Sequence, residues 1–223
     1  MARRKNTLLL TAAALLCCGV MAWVDGVLRP GYGVKSAIKL AMFALIPILL
    51  TAGCHLTALK EIFRFRKRGF AAALGLGIGV YAVILGGYFL IRPFFDFSGI
   101  AGKLTQNAGV TKENFLYVSL YISFVNSLLE EFFFRGFLFS NLKTASTRGF
   151  AYGFSAVAFS LYHVAMMIGW FNIWLYLLVL GGLAVGGVIF NYLNEKLGCI
   201  YASWLTHMFA NFAINTIGFL LLN

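Results

Sequence analysis

Seven long apolar runs follow one another through the 223-residue chain with little between them, and no other feature limits the fold so tightly. They cover 7–24, 37–59, 70–91, 115–142, 150–168, 173–193 and 198–222. A helix of about 20 apolar residues matches the thickness of a bilayer's hydrocarbon core. Inside that core every backbone N–H and C=O must be paired within the protein, a demand that helices meet segment by segment. The expectation is an all-α fold: a polytopic transmembrane helical bundle of about 7–8 spans, the eighth arising if 198–222 breaks in two. The connections leave no room for a separate soluble domain. Residues 1–223 therefore read as a single integral membrane domain, with N-terminal spans in 1–114 and the polar spans in 115–222. Composition agrees, at 61% hydrophobic and 11% charged, where soluble domains carry roughly a quarter charged residues.

The start, "MARRKNTLLL", has the basic and apolar parts of a secretory signal, but its cleavage pattern is poor and more spans follow. It reads as a first helix that stays attached. A net charge of +11 would suggest nucleic acid in a soluble protein. Here the basic residues sit in loops and follow membrane topology, so the expected partner is the lipid bilayer and not nucleic acid. With a cytoplasmic N-terminus the inner segments hold eleven Lys and Arg, led by "KEIFRFRKRG" at 60–69. The outer segments hold six: Arg29, Lys35, Lys39, Arg92, Lys103 and Lys112. The imbalance predicts a cytoplasmic N-terminus, in the plasma membrane of a prokaryote.

Cys17, Cys18, Cys54 and Cys199 lie in apolar context without CxxC spacing, so they indicate neither a disulfide frame nor a cysteine zinc site. Gly182 and Gly186, and "GLGIG" at 75–79, read as helix-packing faces and not as phosphate loops. His55 has no polar companion and reads as a packing or interface residue.

The exceptions to this greasy pattern are Glu130, Glu131 and Arg135 in the fourth run, His163 in the fifth, and His207 with Asn211 in the last. An ionisable group deep in a bilayer costs about 3 kcal/mol on insertion scales, so such groups tend to face a cavity and serve function. Glu131 and Arg135 are four apart, on one helix face, and are expected to form a structural ion pair. Glu130 is turned about 100° away, a spare carboxylate suited to a general base. Counting about 1.5 Å per residue from the cytoplasmic boundary, Glu130, His163 and Asn211 lie roughly 20 Å deep and His207 roughly 14 Å. Three helices thus bring Glu, His, His and Asn to a similar level. Each histidine taken alone also reads as an interhelical hydrogen-bonding residue.

Together "EEFFFR" (130–135), "FSLYH" (159–163) and "HMFAN" (207–211) resemble the EExxxR, FxxxH and HxxxN motifs of the CAAX-protease and bacteriocin-processing (CPBP, Abi) intramembrane endopeptidases. The order is right, and the resemblance covers about residues 115 to 215. It implies a helical membrane hydrolase with a cytoplasm-facing cavity, cutting a peptide or membrane-protein substrate near the cytoplasmic side. By that resemblance Glu130 and His163 would activate the water, while His207 and Asn211 would polarise the scissile carbonyl and hold its oxyanion. No HExxH spacing occurs and Asn is a poor zinc ligand, so no metal cofactor is favoured. If zinc is used, Glu130, His163 and His207 would hold it. Two rival readings carry other functions. One is a non-catalytic immunity or scaffold membrane protein of the same fold. The other is a proton-relay transporter, which the confinement of polar residues to the second half of the chain disfavours.

Overall fold

The computed structural model describes residues 2–54, 56, 62–65, 67, 69–97, 99–100, 102 and 110–222. The described residues form helices and no strands. Helices α1 (Arg3–Leu28), α2 (Tyr32–Gly53) and α3 (Phe70–Ile91) are each long and apolar enough to cross a membrane. Helix α4 runs through 115–145 as alternating α- and π-helical stretches, the longest π stretch being Phe132–Phe139. Three more crossing-length helices follow: α5 (Arg148–Met167, with a turn at His163), α6 (Ile173–Leu197) and α7 (Tyr201–Leu222). The chain is an integral membrane protein. Helix α7 is unbroken, so the last apolar run supplies no eighth span.

The ends differ from expectation where local chemistry sets them. Gly31 precedes α2, which therefore starts at Tyr32, takes Lys35 into the helix and sets Lys39 further from the helix start. At α5 the Thr147 hydroxyl accepts from the Phe150 N–H, and at α6 the Asn172 side chain accepts from the Leu175 N–H. Both satisfy donors that a helix start leaves open. Gly198 ends α6 in the left-handed region at φ +63°, the usual glycine stop. His55, Lys60, Arg66, Arg68 and Lys103 lie outside the described residues.

Helix α4 is the axis of the packing. Every residue from Glu130 to Phe139 is buried. Phe133, Phe134, Phe137 and Phe139 pack with Leu10, Cys17 and Met21 of α1, Phe43 of α2, Phe159 and Tyr162 of α5, and Phe190 of α6. This burial explains how three ionised groups can sit in an apolar run: along that stretch α4 presents no side chain to lipid, so its charges meet protein partners. Around it, α3 and α7 run parallel, with Thr206 bonded to the Ala73 carbonyl and Thr216 to Tyr81. Helices α5 and α6 run antiparallel, tied by Ser160 to the Leu180 carbonyl near one end and by Arg148 to Glu195 at the other.

The close helix contacts fall on only some of the glycines expected. A Cβ on Gly182 or Gly186 would meet nothing within 4 Å, whereas one on Gly187 would come 2.9 Å from the Ala156 Cα. In "GLGIG" it is Gly77 that packs tightly, against Phe209 of α7.

Candidate functional site

Four helices build the site. Helix α4 places Glu130 and Glu131 in its short α-helical stretch Ser127–Glu131, and Arg135 in the π stretch that follows. His163 stands at the C-terminal cap of the regular part of α5, where the chain turns. His207 comes from the first turns of α7 and is buried. The fourth helix is α2, through Lys39.

Glu130 is not a spare carboxylate. Its Oε1 accepts from the Lys39 ammonium at 2.6 Å and from the Asn126 amide at 2.9 Å. Lys39 also donates to Asn126 Oδ1. Its Nζ lies 5.0 Å from the Tyr162 ring centroid and 5.4 Å from that of Phe43. Lys39 is 4% exposed and Glu130 1%, so the pair meets in a space with almost no solvent.

The other oxygen faces the histidines. Glu130 Oε2 lies 3.8 Å from His163 Nε2 and 3.7 Å from His207 Nε2. Each ring is oriented through its other nitrogen. His163 Nδ1 is 2.7 Å from the Phe159 carbonyl, which can only accept, so Nδ1 carries the proton. His207 Nδ1 is 3.0 Å from Glu131 Oε1 and donates to that carboxylate. Ring packing supports the same orientation, with Phe190 stacked on His207 at 5.0 Å and 19°.

Glu131 serves two partners. Besides His207 it lies 3.2 Å from Arg135 Nη1. The guanidinium is wholly buried, 4.3 Å from the Phe159 centroid and 4.9 Å from that of Phe190. Its Nη2 reaches the Gly187 carbonyl at 3.4 Å. The residues named from sequence thus meet in part: Glu130, Glu131, Arg135, His163 and His207 form one cluster. Asn211 instead donates at 3.2 Å to the Ile122 carbonyl, in the π stretch Ile122–Asn126 of α4.

From sequence Lys39 counts only as an outer-segment charge, and Asn126 stands out in no way. The turn "RPGYG" at 29–33 would have started α2 at Tyr32 and set Lys39 about 10 Å along the helix, too deep for a loop charge. Asn126 lies one turn before Glu130 and is marked by nothing else.

Comparisons with known proteins agree with the motifs. No curated protein and no solved structure matches the chain. Residues 112–213 match the family model described as Rce1-like, type II CAAX prenyl endopeptidase. That span contains Glu130, Glu131, Arg135, His163, His207 and Asn211, the residues on which the resemblance rested, so the segment 112–213 is similar to the Rce1-like family.

Proposed function

We propose that the protein is an intramembrane endopeptidase of CAAX type, with Glu130 and His163 activating the hydrolytic water and His207 and Asn211 serving the scissile carbonyl. One observation carries this reading: two imidazole Nε2 atoms approach the same carboxylate oxygen at 3.8 and 3.7 Å, each ring fixed by its Nδ1. A water between them would be in reach of a base and of ring nitrogens that can exchange a proton with it. Glu130 takes the water's proton as the hydroxide oxygen bonds to the carbonyl carbon. It returns that proton to the departing amine as the C–N bond breaks.

Charge accounting supports the division of roles. Lys39 and Arg135 balance Glu130 and Glu131, so with neutral histidines the cluster carries no net charge. As Glu130 takes the water's proton, its negative charge passes to the carbonyl oxygen of the tetrahedral intermediate. His207 carrying a second proton on Nε2, taken up from solvent, would meet that charge, with Glu131 accepting from its Nδ1–H. Asn211 uses one amide hydrogen on Ile122 and keeps a second for the oxyanion.

Zinc fits this donor set poorly. Among the described residues no group of three His, Cys, Asp or Glu side chains has metal-site geometry. The carboxylate a dication would need already shares its charge with an ammonium 2.6 Å away. Purified protein is therefore expected to keep its activity in a chelator. Glu130→Gln is expected to lose about 100-fold or more in kcat against a peptide library. Chelator-sensitive cleavage restored by zinc would contradict the metal-free reading. Retained cleavage by the Gln variant would contradict the role of Glu130. A binding or immunity function surviving Glu130→Gln, with no cleavage by the wild type, would favour the scaffold reading.

We further propose a cytoplasmic N-terminus and cleavage near the cytoplasmic side. The basic residues of the first turns and of the α4–α5 turn support this. Those two regions share one end of the bundle, where the Thr7 hydroxyl donates to the Ala145 carbonyl at 2.9 Å.

A further inference from the structure

Both donors on the α2 side of Glu130 reach the same atom. The Lys39 ammonium and the Asn126 amide each bond Oε1, and Lys39 also bonds the Asn126 carbonyl oxygen, closing a ring of three hydrogen bonds. A carboxylate oxygen has two in-plane lone pairs, so two donors occupy Oε1. Oε2, the oxygen that faces both histidines, has no such clamp among the described residues.

The ammonium is itself held. Aromatic faces at 5.0 and 5.4 Å (Tyr162 and Phe43) bound it, and both residues are buried core members. A lysine placed only to neutralise a carboxylate could bond either oxygen or straddle both. Here the second donor, from a side chain one turn away, fixes the choice. The two oxygens of Glu130 are therefore inequivalent: one is tied to α2 and α4, the other opens on the imidazoles.

We infer that Lys39, with Asn126, is a positioning residue that occupies Oε1 of Glu130 and so assigns proton transfer with water to Oε2. This rests on the peptidase reading above. The ammonium also keeps a negative charge on a carboxylate that has almost no solvent to support it. In the reaction Lys39 neither gains nor loses a proton. It holds Oε1 while Oε2 takes a proton from water and gives it to the leaving amine.

The test compares Lys39→Gln, Lys39→Arg, Asn126→Leu and Glu130→Gln with wild type. Each is isolated as folded, monodisperse protein in detergent, and rates are taken per folded molecule. Lys39→Gln is expected to lose about 100-fold in kcat at nearly unchanged KM, because the lost interaction acts on the chemical step and not on substrate binding. Lys39→Arg restores part of the loss. Asn126→Leu, which keeps the ammonium and removes one donor, is expected to lose roughly 3–10-fold in kcat. A structural role alone would lower the folded yield and leave the rate of the folded fraction untouched. Lys39→Gln within about 3-fold of the wild-type kcat, beside an inactive Glu130→Gln, overturns the inference and leaves the peptidase reading standing. An active Glu130→Gln overturns the base assignment itself. Should neither Lys39 variant fold, Asn126→Leu decides: an unchanged kcat overturns the inference.

Discussion

The Arg135 guanidinium is wholly buried, with Glu131 at 3.2 Å and the Phe159 and Phe190 rings beside it. Removing the carboxylate would leave a cation facing mainly aromatic surface. Breaking a buried pair from one side typically costs about 3–5 kcal/mol, so Glu131→Ala is expected to lower thermal stability by that order, read by melting in detergent. It also releases His207 Nδ1, so the surviving folded protein should cleave more slowly. A melting curve like that of wild type would show that the pair does not hold the helices. These residues were legible because an ionisable group inside an apolar run is rare and expensive, so spacing alone singled out Glu130, Glu131, Arg135, His163 and His207. Lys39 escaped for the opposite reason. Near a span's end a lysine reads as a topological charge, and starting α2 five residues earlier moves Lys39 from the first turn of the span to the junction of its second and third.

Helix α4 gathers the charged cluster because its neighbours pack closely enough to exclude lipid from Glu130 through Phe139. The α5–α6 contact shows how narrow that packing is. A Cβ at Gly187 would come 2.9 Å from the Ala156 Cα, a backbone atom that cannot swing aside. Gly187→Val is expected to destabilise by about 1–3 kcal/mol as the helices part. Gly186→Ala, with open space around it, should be neutral or gain up to about 1 kcal/mol from a stiffer unfolded chain. Thermal midpoints of the two variants, one residue apart, check the assignment; equal effects would contradict it. The sequence marked this helix pair as small-residue packing but put the contact one position early, because a glycine pattern does not say which glycine faces the neighbour. The π turns of α4 were also invisible, since apolar periodicity is too coarse to separate them from α-helix.

Across the whole molecule, six helices among the described residues are long and apolar enough to cross a membrane. The parallel pairing of α3 with α7 beside the antiparallel pairing of α5 with α6 requires α4 to cross as well, which makes seven crossings that alternate in direction. An odd number of crossings sends the two termini to opposite sides. With the N-terminus proposed to be cytoplasmic, a periplasmic reporter such as alkaline phosphatase fused after Leu222 should be active, and a fluorescent protein there should be dark. The reverse pattern would contradict the orientation. The helical class and the run of spans were readable from hydropathy alone, because bilayer thickness dictates both. What hydropathy could not supply was the convergence of α2, an N-terminal helix, on a site whose motifs all lie in the second half of the chain. Sequence motifs record the residues a family shares. Lys39 reaches Glu130 only through the fold.

The most direct test of the account is peptide-library cleavage by detergent-purified wild type beside Glu130→Gln, each with and without a chelator. The account predicts cleavage by the wild type that survives chelation and falls about 100-fold or more in the variant. Cleavage that Glu130→Gln retains, or that the chelator abolishes and zinc restores, would contradict a carboxylate base working on water without a metal.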